Sequence, residues 1–193
     1  MIKTVFLDMD GVMVNFLGGL HRALGVPYDV NQYPYEKGKW NMLTDIKGFD
    51  DVPATFEQIN DCCAARFWAN LGWTHDGVAI LRAVEHAFDR KNIWLLTTPM
   101  PNVGSASGKM EWINKYLPWY SKKVFITTAS KSVVAGPDTL LIDDKDENVE
   151  GFIEAGGRGL LVPRLWNADY GMAHHTLEVV CDRLEDHLSC QES

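Results

Sequence analysis

Asp8 and Asp10 stand one residue apart where the apolar run Thr4-Val5-Phe6-Leu7 gives out, and Gly11 follows them. Strand alternation points both carboxylates to the same side, so two negative charges lie close together near a sheet edge. Such a pair calls for a cation, a shared proton, or both. Further along, Thr97-Thr98 follows Ile93-Trp94-Leu95-Leu96, Lys131 lies beyond Lys123-Val124-Phe125-Ile126-Thr127, and Asp143-Asp144 closes Thr139-Leu140-Leu141-Ile142. Carboxylate oxygens suit a hard metal ion, while an ammonium and a hydroxyl suit phosphate oxygens. Taken in order, the clusters describe a site for a cation together with a phosphate group.

For these groups to meet, the runs that carry them must be neighbouring strands, because ligands of open α/β sheets collect at the strands' carboxyl ends. The segments between them read as helices. Asp76-Gly77 opens one in which Ile80, Leu81, Val84, Ala87 and Phe88 recur at helical spacing. Another, after the loop from Gly104 to Gly108, carries Met110, Ile113, Tyr116 and Leu117. A third, with Val149, Phe152 and Ile153, closes at Gly156-Gly157, after which Gly159-Leu160-Leu161-Val162 reads as a last core strand stopped by Pro163. The tail from His175 is amphipathic, with Leu177, Cys181, Leu184 and Leu188 expected on its apolar face. Alternation of this kind predicts an α/β fold with a mostly parallel sheet flanked by helices. Residues 15–76 differ, with Pro27, Pro34, Pro53, many aromatics and no apolar strand. They read as a small helical cap inserted after the first strand, leaving 1–14 and 77–193 as the α/β core.

Composition narrows the partners. The chain of 193 residues is 46% hydrophobic and 23% charged, which fits an ordered globular enzyme of one domain with a modest insertion. A formal net charge of −8 argues against a nucleic-acid polymer as partner, yet a lysine or a metal can reverse the field within a cleft. No apolar run is long enough for a membrane span, and Asp8 and Asp10 interrupt the only apolar stretch a signal peptide could use. Cys62, Cys63, Cys181 and Cys190 lack metal-ligand spacing and read as free thiols of a cytoplasmic protein.

The set Asp8-Met9-Asp10-Gly11-Val12, Thr97, Lys131 and Asp143-Asp144 resembles the haloacid dehalogenase (HAD) superfamily of phosphatases, which implies a Rossmann-like core. Phe16, Gly18-Gly19, Thr97-Thr98-Pro99, Lys109 with Trp112, and Lys131-Ser132-Val133-Val134 bring it closer to the 5'(3')-deoxyribonucleotidase family. That resemblance implies Asp8 as nucleophile, Asp10 as general acid and base, and Thr97 and Lys131 as stabilisers of the transferring phosphoryl group. It implies Mg²⁺ held by Asp8, the Asp10 main-chain carbonyl and Asp143 or Asp144, with Asp144 favoured. Thr98 and Lys109 are implied as further substrate contacts. Two positions depart from the family pattern: Asn15 stands where Asp is usual, and Ala129 where Arg is usual.

The expected reaction is hydrolysis of a small phosphate ester, a nucleoside monophosphate, through an aspartyl-phosphate. Phe16 and Trp40 are expected to hold the base, with Trp68 and Trp73 as weaker candidates, since aromatic faces stack on nucleobases. His174-His175 reads as a surface or capping pair. The same core could instead hydrolyse or transfer phosphate on another metabolite such as a sugar phosphate. A non-catalytic phospho-ligand-binding or interaction module is the third alternative, and homodimer formation is left open.

Overall fold

Short apolar runs separated by helices assemble into one parallel sheet. In the computed structural model, which describes residues 1–29, 32–47 and 52–189, Cys190 lies outside the described residues. Among the described residues, β1 (Thr4–Leu7), β2 (Ile93–Thr97), β3 (Val124–Ile126), β4 (Thr139–Asp143) and β5 (Arg158–Leu161) pair in the order β3-β2-β1-β4-β5. Every pairing is parallel, and Leu7 of β1 lies opposite Leu95 on one side and Ile142 on the other. The chain winds outward from β1 in one direction and later in the other, so β1 and β4 flank the point where the winding reverses. That crevice is where ligands of such sheets bind.

Between β1 and the first long core helix come α1 (Phe16–Ala23), α2 (Met42–Asp45), α3 (Phe56–Cys62) and α4 (Ala65–Ala69), the helical insertion expected after the first strand. Local chemistry starts these short helices. Asn15 caps α1 by accepting from the Gly18 N–H at 2.9 Å. A capping box opens α3, with Thr55 accepting from Gln58 N at 3.2 Å and Gln58 accepting from Thr55 N at 2.8 Å. The later helices are α5 (Gly77–Ala87), α6 (Ser105–Tyr116), α7 (Asp146–Glu154) and α8 (Thr176–Ser189).

Strand alternation divides the interior. Val5, Leu7, Ile93, Leu95, Leu140 and Ile142 enter a large core with Ile80 and Val84 of α5, Trp112 and Ile113 of α6, and Val180 and Leu184 of α8. Phe16, Leu20, Ile59 and Trp68 of the insertion join this same core. Phe6, Leu96 and Leu141 point the opposite way, onto Phe152 of α7. A third, smaller cluster gathers Leu17, Met42 and Trp166, with Tyr28, Tyr33, Tyr35 and Trp40 against them.

Two departures from expectation have packing causes. The buried face of α8 runs through Thr176, Val180 and Leu184, while Leu177 is 37% exposed, because docking onto α5 selects the face. Trp73 faces Trp112 at 4.8 Å between ring centroids and packs half-buried against the large core. The contact of α4 with α6 depends on Gly108: a Cβ there would lie 2.2 Å from the Ala65 carbonyl oxygen. Without that atom the helices touch, which brings Trp68 over Lys109, 4.1 Å from ring centroid to ammonium.

Candidate active site

Beyond β1 the chain turns sharply. The N–H groups of Met13 and Val14 both donate to the Met9 carbonyl, and Gly11 donates to the Val14 carbonyl at 2.8 Å. Gly11 sits at φ +76°, and a Cβ there would lie 2.0 Å from Oδ2 of Asp144, so both its backbone and its neighbour require glycine. The turn sets Asp8 beside the end of β4. Asp8, Asp143 and Asp144, all buried, each offer a carboxylate oxygen within 4.8 Å of the others. Lys131, on a short 3₁₀ turn (Lys131–Val134) after β3, reaches Oδ1 of Asp8 at 2.5 Å and Oδ2 of Asp143 at 2.6 Å.

One ammonium among three buried carboxylates leaves excess negative charge. Burial pushes the Asp8 carboxyl up to about 7, with Lys131 opposing the rise and Asp143 and Asp10 adding to it. Asp144 is driven well above the usual carboxylate range by burial and then by the charges of Asp143 and Asp8, against the hydrogen bond from Trp166. For Lys131, burial works against the charge, but Asp143 and Asp8 outweigh it and keep the ammonium protonated. A clustered, all-oxygen, over-negative donor set fits a hard divalent cation such as Mg²⁺. Within it Asp143 has both oxygens engaged, by the Lys145 N–H at 2.9 Å, Asn148 Nδ2 at 3.1 Å and Lys131. The hydrogen bond to the Asp144 carboxylate uses Oδ2 alone.

The other lysine is placed differently. Lys109 is 1% exposed and donates to Oδ2 of Asp10 and to the Thr97 hydroxyl at 3.0 Å, beneath the face of Trp68. Thr97 is fully buried, so its hydroxyl serves Lys109 while Thr98 lines the cleft. Asp10 Oδ1, shielded from solvent, has no hydrogen-bond partner among the described residues.

The cleft above the carboxylates measures about 230 Å³. Asp8, Asp10, Asp143, Asp144 and Lys131 form its polar end; Phe16, Trp40, Met42, Trp68 and Trp166 are among its apolar walls. Phe16 stacks on Trp68 with 5.2 Å between centroids and 6° between planes. Trp40 meets Trp166 edge to face at 6.4 Å, and the Lys145 ammonium lies 5.3 Å from the Trp40 centroid. His174 and His175 are exposed, with His175 near Glu178 at 3.5 Å. Ala129 is exposed beyond β3. Cys62, Cys63 and Cys181 are free, and burial pushes the Cys63 thiol up to about 12, where it is inert.

Sequence reasoning passed over the segment after β5, which braces the site. The Arg164 guanidinium, 5% exposed, donates to the Gly11 carbonyl at 2.6 Å and the Val12 carbonyl at 3.1 Å. It also grips Asp76 through two bonds of 2.7 and 2.9 Å. Burial alone would raise the Asp76 carboxyl, but the hydrogen bonds and charge of Arg164 outweigh it and hold it below its ordinary value. Trp166 Nε1 donates to Asp144 Oδ2 at 2.7 Å, and Asn167 Nδ2 to the Asp144 carbonyl at 2.8 Å. A signal was available: Pro163 stops a core strand, and an arginine, a tryptophan and an asparagine follow where the other strands also carry their polar residues.

Known proteins resemble this chain in sequence and in fold. A model of the family described as "5' nucleotidase, deoxy (Pyrimidine), cytosolic type C protein" matches residues 1–175. A 5'(3')-deoxyribonucleotidase of Bacillus subtilis (strain 168) is 23% identical over 154 residues, covering 79% of this chain and 81% of the relative. The 5'(3')-deoxyribonucleotidase of Bacillus phage SPbeta matches to the same extent, 23% over 154 residues. Among solved structures, a haloacid dehalogenase-like hydrolase from Streptococcus pneumoniae superposes with a TM-score of 0.54 at 15% identity over 90% of each chain. CbbY from Rhodobacter sphaeroides, in complex with phosphate, gives 0.50 at 14% identity over 87% of this chain and 89% of its own. At such identities the structural matches speak for the fold. No helix among the described residues is long and apolar enough to cross a membrane.

Proposed function

Because the chain belongs to the cytosolic type C family of 5' nucleotidases, deoxy (pyrimidine), within the HAD hydrolases, we propose that it is a Mg²⁺-dependent phosphomonoesterase acting on (deoxy)nucleoside monophosphates. The observation that carries this reading is the pairing, in one cleft, of a carboxylate–lysine floor with an aromatic wall.

In the proposed reaction an oxygen of Asp8 attacks phosphorus, forming an aspartyl-phosphate as the bond to the nucleoside oxygen breaks. Asp10 gives its proton to that departing oxygen. It then takes a proton from the water that attacks phosphorus and releases Asp8. Lys109, paired with Oδ2, holds the Asp10 carboxyl at the edge of the cleft. Lys131, bound to Asp8 and Asp143, places a fixed positive charge beside the phosphoryl oxygens as charge moves onto them. Thr98, on the cleft wall, is the contact proposed for a phosphate oxygen. Asp8, Asp144 and the Asp10 carbonyl would hold Mg²⁺, with Asp143 behind them; when bound, the ion supplies the positive charge that lets an anionic carboxylate approach an anionic phosphate. Phe16 and Trp40 would stack against the base, while the wall excludes water from the reacting atoms.

One departure favours a second reading. Ala129 offers no guanidinium where the family usually has Arg, which removes a bidentate contact to sugar or phosphate and widens the field to other phosphorylated metabolites. Phosphate release from a panel of nucleoside monophosphates and sugar phosphates, with and without Mg²⁺, tests both. Metal-dependent turnover highest on nucleoside monophosphates is expected; equal or higher turnover on sugar phosphates would overturn the nucleotide assignment.

A further inference from the structure

Asp144 is clamped on three sides by groups outside the phosphate-handling set. Its Oδ2 accepts from Trp166 Nε1 at 2.7 Å, in a contact where the two residues are 1% and 8% exposed. The same oxygen rests on Gly11, where a Cβ would lie 2.0 Å from it and 3.1 Å from Cζ2 of Trp166. The missing side chain at position 11 therefore opens the space in which this hydrogen bond forms. Asn167 holds the other end of the residue through the Asp144 carbonyl.

The donor ring is itself fixed from the insertion. Trp166 packs in a cluster with Leu17 and Met42, and its ring meets Tyr33 and Trp40 at 6.4 Å in each case. Trp166 lines the cleft together with Leu17, Trp40 and Met42 of this cluster. One indole thus donates to a carboxylate of the metal cluster and forms part of the wall of the reactant space.

Resting on the metal site proposed above, we infer that Trp166 is a positioning residue with two separable duties: its N–H orients Asp144 for the divalent cation, and its ring closes the cleft against the leaving group. A carboxylate in a metal site has several rotamers, of which few point an oxygen at the ion. Partners behind such ligands are worth about 10–100-fold in metal affinity. The ring duty draws on shape alone and survives loss of the N–H.

Two substitutions separate the duties. Trp166→Phe keeps an aromatic ring and removes the donor. Trp166→His keeps a donor, since imidazole Nε2 occupies the ring position of indole Nε1, and discards the six-membered ring. Mg²⁺ itself prefers oxygen ligands, so the imidazole does not supply affinity by ligation. Calorimetric titration of Mg²⁺ into the metal-free full chain, without substrate, reads the first duty; KM for a nucleoside monophosphate reads the second.

Trp166→Phe is expected to weaken Mg²⁺ binding about tenfold or more with KM at saturating metal little changed. Trp166→His is expected to bind Mg²⁺ within about threefold of wild type while KM rises. Wild-type Mg²⁺ affinity in Trp166→Phe would overturn the inference and leave the metal site standing. Absence of Mg²⁺ binding by the wild type would overturn both. Should Trp166→Phe not fold, Trp166→His decides, and a loss of about tenfold in its Mg²⁺ affinity counts against the role.

Discussion

The carboxylate floor of the cleft is held by the backbone of a parallel sheet, whereas its aromatic wall is held by side chains packed on one another. On the floor, the Asp8 N–H donates to the Ile142 carbonyl at 2.9 Å, and the Asp143 carbonyl accepts from Val162 N at 2.8 Å. Strand register therefore sets where these carboxylates lie, and a shift would break the sheet. The wall has no such template. Phe16 is placed by its stack on Trp68, and Trp40 by its edge contact with Trp166 and the Lys145 ammonium. The proposed function thus attaches chemistry to the most constrained part of the fold, and recognition to a part that can be repacked.

The two lysines show the same division. Lys131 sits between two floor carboxylates and balances part of their charge. Lys109 reaches the floor from α6, across the face of a ring of the wall, and takes Asp10 as its partner. It is the point at which the wall meets the carboxylate proposed as acid and base.

If floor and wall divide chemistry from recognition, Asp8→Asn gives the largest effect. Turnover should fall by about 10⁴-fold or more, since a lost nucleophile is not replaced by its neighbours. The melting temperature of the metal-free protein should hold or rise, because a neutral amide relieves the crowding of negative charge at the floor. Near-normal turnover in a steady-state phosphate assay would break the floor assignment.

Trp40→Ala comes next. Loss of a stacking face is worth about 1–3 kcal/mol, or about 5- to 150-fold. The rise in KM should be larger for nucleoside monophosphates than for p-nitrophenyl phosphate. Equal rises on both substrates would show that the wall supports the floor's geometry and does not read the base.

The smallest effect is one of pH and metal together. Asp8 is raised from 3.8 to about 7 in the metal-free fold. A raised carboxyl contributes stability that is fully present below its unfolded value and is lost as pH rises through the folded value. Metal-free protein should therefore lose stability between those two values, and Mg²⁺ should restore it. Thermal melts should show a larger Mg²⁺-dependent rise at about pH 8 than at about pH 5, by at least the 2–4 °C that about 1 kcal/mol produces in a chain of this size. A rise independent of pH would detach the metal from the Asp8 carboxylate.

Much of the floor was legible in the chain because strands announce themselves by short apolar runs, and the residue that ends each run lies at the sheet's carboxyl edge. Asp8 and Asp143 needed nothing more, whereas Thr97 ends its strand but is fully buried against Lys109, and Thr98 lines the cleft. The wall was only partly legible. Phe16 and Trp40 line the cleft, but Trp73, of the same type and the same segment, faces Trp112. Aromatic residues suit a core and a pocket equally well, and composition does not say which side of a helix will be covered.

The sequence by itself determined an α/β sheet, the order of its strands' polar ends and the charge conflict those ends create, because periodicity and strand termination are local properties. Tertiary structure alone decided which donor serves which acceptor. Lys109 meets Asp10 across 99 positions, Arg164 meets Gly11 across 153, and Trp166 meets Asp144 from beyond the next strand. Such pairings depend on how closely helices approach, on a missing Cβ at Gly11 or Gly108, and on which face of each element is buried. These are properties of packing, and no local pattern encodes them.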